Sequence, residues 1–147
     1  MANQTKTSTG LNITTWALQA LMALLFLMGG LYNISQPIEV LAPKMSYVNY
    51  FPIWAVKLIA ASEVLGAIGL LLPDILRIKT ILTPLAALGL ALVMLFATIY
   101  HITHGEANEA PMTIVLGIIV SFIAWIRYKK IPIKDRPTLA SITDNRQ

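Results

Sequence analysis

The sequence predicts an all-α integral membrane protein, an antiparallel bundle of four spanning helices. Three observations lead there. Of the 147 residues, 56% are hydrophobic and only 12% are charged, about half the charged share of a soluble domain. A soluble chain of this size needs a polar shell, whereas a surface facing lipid must be apolar. Four apolar stretches, near residues 13–32, 53–72, 81–100 and 111–128, each have the roughly 20 residues that cross about 30 Å of hydrocarbon at 1.5 Å per residue. Finally, Trp16, Tyr32, Trp54, Tyr100 and Tyr128 fall near the ends of these stretches, where an amphipathic ring sits well at a membrane–water interface.

Residues 1–12 read as a polar leading segment. The first span, from Ile13 to Tyr32, is too long for the apolar core of a signal peptide, has only Lys6 before it and lacks a small-residue cleavage site, so it is expected to be retained. Pro37 and Pro43 interrupt the loop after it, and Pro52 precedes the second span. Pro73 is expected to end that span, because proline removes a helix hydrogen bond and clashes with the preceding turn. Thr83-Pro84 reads as an N-cap followed by proline at the first helical position of the third span, and Pro111 starts the fourth with Glu109 or Ala110 near its cap. Residues 131–147, with Pro132, Pro137 and mixed charge, read as a surface tail. Small residues Ser62, Gly66 and Gly69 in the second span, and Ala87, Gly89 and Ala91 in the third, predict close packing of those two helices.

Orientation follows from the cations. Of 11 Lys and Arg against 7 Asp and Glu, six (Arg127, Lys129, Lys130, Lys134, Arg136 and Arg146) follow the last span. Lys6, Arg77 and Lys79 fall on the same side, while the opposite side holds Lys44. That asymmetry places both termini and the short central loop in the cytoplasm, and a bacterial inner membrane is the expected location. It also accounts for the basic balance without nucleic acid. With no cysteine, disulfides, thiolate-held zinc and iron–sulfur clusters are excluded.

Glu63 is the most informative residue. It lies eleven positions into its span, near the bilayer midplane, where an acidic group costs on the order of 3 kcal/mol and calls for compensation inside the bundle. It reads either as a carboxyl that handles a proton or binds a head group, or as a neutral structural hydrogen-bond partner. Lys57, six residues earlier, is on a different face of the same helix. It is expected to snorkel outward or to reach Glu106 or Glu109 over the outward mouth. His101 and His104, with Glu106, are titratable groups beside an apolar run. The helix is expected to break at Gly105, so this segment reads as an interfacial loop in which His101 binds or transfers protons, and no metal is assigned. Gln19 is expected to bond a neighbouring helix; Asn33 and Gln36 are weaker polar candidates. No phosphate loop, zinc-protease helix or nucleophile elbow is present, so an enzyme acting alone is not expected.

The run from Glu63 through Gly66 to Pro73, then Leu82 to Met94 with Pro84 near its start, then His101 and Gly105-Glu106, resembles the DoxX-like family of small four-helix membrane proteins. The resemblance covers about Trp16 to Tyr128. It implies that Glu63, His101, Gly105 and Glu106 stand at family motif positions and that Gly29 or Gly30 is the glycine feature of the first helix. A lysine common after those glycines is replaced here by Leu31-Tyr32-Asn33. The resemblance further implies a membrane subunit linked to quinone-dependent oxidation of sulfur compounds or to oxidative-stress complexes, or, as in some animal relatives, a chaperone of membrane proteins. The expected ligand is therefore a quinone or lipid in a cleft around Glu63. The expected partners are the bilayer, a membrane or redox protein, and a second copy of the chain. The alternative is a non-catalytic assembly factor.

Overall fold

A computed structural model describes residues 2–137, with side chains from Thr9 onward. The described residues form α1 (Ala2–Ser35), the short α2 (Ile38–Leu41), a 3₁₀ turn (Ser46–Asn49), α3 (Ile53–Leu76), α4 (Leu82–Thr103) and α5 (Ala110–Trp125), which runs on as a π-type turn (Ile126–Lys130). Four segments are long and apolar enough to cross a membrane: Thr9–Ser35, Ile53–Leu76, Leu82–Thr103 and Ala110–Lys130.

Side-chain register fixes the arrangement. Gly30 meets Ala60 and Val64, and Gln19 reaches Leu70, so α1 and α3 run antiparallel. Gly66 faces Leu90 and Gly69 faces Ala86, which makes α3 and α4 antiparallel in turn. Thr98 meets Thr113 at 2.7 Å and Met94 lies against Gly117, which does the same for α4 and α5. The N-terminus, the α3–α4 turn and the tail therefore share one end of the bundle, called here the tail end. The α1–α3 and α4–α5 connections share the other, the loop end.

The core is one cluster of Met22, Phe26, Leu70, Leu90, Met94, Val120 and Ile123 with interleaved alanines. Large apolar side chains such as Leu24, Leu58, Leu65, Leu92, Phe96 and Ile118 point outward and are exposed on all four helices. In water that surface is untenable, and in lipid it is the expected solvent face. The predicted closeness of α3 and α4 is present: a Cβ at Gly66 or Gly69 would come within 2.6 Å of Leu90 or Ala86, so glycine lets those backbones approach. Gly30 does the same for α1 against α3, while nothing lies within 4 Å of Gly29.

Several boundaries differ from expectation. Pro73 does not end its helix; α3 continues to Leu76 and stops at Arg77, whose left-handed backbone (φ 55°) lets its N–H bond the Pro73 carbonyl. A proline in the last turn removes only its own bond to Gly69, so the turn survives. Asp74 thereby becomes a helix residue rather than a loop residue. Thr83 is not an N-cap: α4 begins at Leu82 and its cap position is Ile81, with no side-chain cap. Pro84 then occupies the third helical position, still within the turn that lacks intrahelical acceptors for its N–H groups. Part of the predicted surface tail is docked. Arg136 N–H donates to the Arg77 carbonyl (2.8 Å), Thr80 N–H to Asp135 Oδ1 (2.8 Å), and the Thr80 hydroxyl to the Ile133 carbonyl (2.7 Å). The remainder of the tail, including Arg146, lies outside the described residues.

Candidate functional site

At the loop end the four helices do not close against one another. Pro37 cannot continue α1, and the chain turns back through α2 and the 3₁₀ turn, anchored by a small buried cluster of Leu41, Val48 and Val56. This returning segment lies over the bundle mouth. Lys44 is held there by donating to the Tyr32 hydroxyl (2.8 Å) and by sitting 5.4 Å from its ring centre. Across the mouth, Gly105 (φ +76°) makes the turn after α4. That turn lets Glu106 N–H bond the His101 carbonyl (2.8 Å), and the Glu106 carboxylate folds back onto His101 Nδ1 (2.8 Å).

Between these covers lies a cavity of about 730 Å³, within the range typical of small-molecule sites. Its walls take Asn33 from α1, Glu63 from α3, Met94, Ala97 and His101 from α4 and Thr113 from α5, with Tyr47 and Glu106 at the mouth. Glu63 has no ion-pair partner among the described residues, and its charge is felt by Tyr47. Burial first, and Glu63 second, push the Tyr47 phenol up to about 12. Asn33 is 7% exposed, and its Oδ1 has no hydrogen-bond partner among the described residues. A buried acceptor left unpaired costs roughly 1–3 kcal/mol, so a donor arriving in this cavity gains by meeting it. Hydrogen bonding from Ser46, then from His101, holds Glu106 below the usual carboxylate range.

The sequence candidates separate. Glu63, His101, Glu106 and Asn33 line one cavity. His104 turns away and stacks on Tyr100 with ring centres 4.0 Å apart, so the two histidines do not converge. Among the described residues no three His, Asp or Glu side chains gather as a metal set. Lys57 does not reach Glu106 or Glu109. Its Nζ donates to the carbonyls of Asn33 (2.8 Å), Ile34 (2.9 Å) and Gln36 (2.7 Å), capping the carbonyls that α1 leaves unpaired at its end. It thereby fixes the backbone of Asn33 at the cavity wall.

A second polar centre, at the tail end, escapes sequence reasoning. Gln19, Asp74 and Arg127 are all buried. Arg127 Nε donates to Gln19 Oε1 (2.6 Å) and lies 3.3 Å from Asp74 Oδ2, while Nη1 donates to Asn12 Oδ1 (2.9 Å). Gln19 Nε2 in turn donates to the Leu70 carbonyl (2.6 Å) and to Asp74 Oδ2 (3.1 Å). Gln19 thus bonds neighbouring helices as expected, but Arg127 is not a tail cation and does not face water. Asp74 and Arg127 fall near the tail-side ends of their spans, whereas Gln19 lies eleven residues into Thr9–Ser35, so only the fold brings the three together.

A four-helix membrane bundle with a polar cavity opening at one end defines a class of small multi-pass membrane protein. Within that class the chain belongs to the DoxX-like family, whose model matches residues 17–123. No curated protein and no solved structure matches it. The matched segment contains the loop-end cavity residues Asn33, Glu63, His101 and Glu106, and stops short of Arg127.

Proposed function

We propose that the protein is an accessory subunit of a membrane redox complex that binds a lipid-soluble ring ligand, of quinone type, in the loop-end cavity. The observation that carries this reading is the meeting in one cavity of about 730 Å³ of a mid-span carboxyl, Glu63, and a buried unpaired acceptor, Asn33 Oδ1. Such a ligand fits the residues present. The reduced form can donate a ring hydroxyl to Asn33 Oδ1, the oxidised form can accept at a ring carbonyl from protonated Glu63, and Met94 with Ala97 supplies apolar contact. A bound quinone would supply the two-electron chemistry, with electrons arriving from a partner protein. The chain's own contribution is to orient the ring and hold a proton at Glu63, with the His101–Glu106 pair at the mouth as the group that exchanges protons with water. The cation asymmetry supports cytoplasmic termini in a bacterial inner membrane, with the cavity opening on the outer side.

Native mass spectrometry of the detergent-purified protein tests the reading. Wild type is expected to retain or take up quinone, and Glu63→Gln and His101→Ala, if well folded, to lose it. A wild type that takes up none in excess ligand overturns the proposal. If the same variants instead lose a co-purifying membrane protein, the polar groups serve assembly.

A further inference from the structure

Six cations are exposed around the tail end of the bundle: Arg77 and Lys79 in the α3–α4 turn, Lys129 and Lys130 in the π-type turn, and Lys134 and Arg136 in the tail. Among the described residues none of the six makes an ion pair. The acids at this end are already engaged. Asp74 is buried against Arg127. Asp135, the one exposed acid at this end among the described residues, accepts the backbone N–H groups of Thr80 (2.8 Å) and of Lys79. Like charges gathered on one surface repel one another, and the energy falls when anions collect opposite them.

The docked tail is what gathers them. Its bonds from Arg136 N–H to the Arg77 carbonyl and from the Thr80 hydroxyl to the Ile133 carbonyl bring Lys134 and Arg136 next to a turn that already carries Arg77 and Lys79. Those two residues both take left-handed backbone (φ 55° and 49°), a conformation that a residue with a Cβ keeps only where its surroundings hold it. The tail bonds the backbone of both. The number of cations alone bears on orientation; the docked tail adds fixed placement, which lowers the ordering cost of any contact the surface makes.

Exposed rings and aliphatic chains set the depth of this surface. Lys129 Nζ lies 5.4 Å from the centre of the Tyr128 ring and Lys130 Nζ 5.3 Å from that of Trp125, and both rings are exposed, as are Leu76, Ile78 and Ile81. Ammonium groups set among exposed aromatic and aliphatic chains suit the boundary between hydrocarbon and head groups, where an acidic protein in water would meet too much apolar surface. We propose that the tail end is a docking surface for anionic phospholipid head groups, assembled by the docked tail, so that the protein collects such lipids from the leaflet around it. The surface is separate from the loop-end cavity and does not depend on what that cavity binds.

The test places the full chain carrying Trp54→Phe, whose remaining Trp16 and Trp125 lie at the tail end, in vesicles of dioleoyl phosphatidylcholine mixed with brominated phosphatidylglycerol or brominated phosphatidylcholine. Tryptophan quenching is the readout. At low salt, phosphatidylglycerol is expected to quench as a lipid held roughly ten-fold more tightly than phosphatidylcholine, with the preference shrinking in about 1 M sodium chloride. Adding Lys129→Gln and Lys130→Gln, both at exposed positions, is expected to lower the preference roughly five-fold. Asp135→Ala separates fixed placement from charge alone. It removes an acid, which by charge alone raises the preference, but it also releases the tail, so the preference is expected to fall about two- to three-fold. Equal quenching by the two lipids overturns the proposal and leaves the cations to an acidic partner in water. A preference unchanged by the two lysine substitutions overturns it too, and one that holds or rises in Asp135→Ala overturns the part assigned to the tail.

Discussion

Lys57, Asp74 and Arg127 each show a charged side chain placed among apolar helices because a specific partner waits there. For Asp74 and Arg127 that partner is the other. Removing one member of a buried pair leaves an uncompensated charge and costs about 3–5 kcal/mol, while replacing both with apolar groups is far milder. Asp74→Leu is therefore expected to destabilise the protein by about that much in thermal or denaturant unfolding in detergent, and Asp74→Leu/Arg127→Met to recover most of the loss. At the loop end, the depressed carboxyl of Glu106 contributes stability above its ordinary value near 4.3 and loses it as pH falls through the folded value. A carbon NMR titration of Glu106 should thus give a midpoint below about 4.3, and Ser46→Ala should raise it. The Tyr47 phenol, pushed up to about 12, shifts the balance at the other extreme. Its stabilising contribution is intact below about pH 10 and disappears as pH rises toward that folded value, so an ultraviolet titration should show one tyrosine ionising late, and earlier in Glu63→Gln. Of these residues, Glu63 and His101 were legible in the sequence because a titratable group within or beside an apolar run stands out. Asp74 and Arg127 were not, since a charge at a span end is ordinary and only the fold reveals that it turns inward.

At the scale of elements, the glycines make the sharpest distinction. A Cβ at Gly30 would come within 2.8 Å of the Ala60 carbonyl and 3.1 Å of the Val64 amide nitrogen, both backbone atoms, whereas Gly29 has open space. Gly30→Ala is expected to force α1 from α3 and cost about 1–3 kcal/mol, and Gly29→Ala to be neutral or slightly stabilising through helix propensity; thermal melts of the two variants compare them directly. The sequence named both glycines and had no means of choosing, because adjacent residues on a helix point about 100° apart and the facing helix is fixed only by packing. The same limit explains Pro73 and Thr83. Local chemistry identifies a residue that can end or cap a helix, but Arg77 stops α3 one turn later, and the docked tail, holding Thr80, sets where α4 begins. The four spans themselves were legible because their length is dictated by the bilayer rather than by neighbours.

For the whole molecule, the cation asymmetry predicts which face of the membrane each end meets. The chain has no cysteine, so single cysteines report cleanly. Ala107→Cys in the loop-end connection is expected to react with a membrane-impermeant maleimide in intact cells. Gln147→Cys should react only after the membrane is opened, and the reverse pattern would invert the proposed topology. The burial of Arg127 removes one cation from the surface tally that predicts this orientation, and the tail-end majority persists without it. The Gln19–Asp74–Arg127 junction also orders events during synthesis. Asp74 leaves the ribosome roughly 50 residues ahead of Arg127, an interval of about 3–10 s at 5–20 residues per second. Over that time the first three helices have only Gln19 to receive the aspartate, and the nascent bundle stays incomplete until the last helix arrives. A chain truncated before residue 127 would lack the cation that pairs with Asp74 and leave that carboxylate with Gln19 alone.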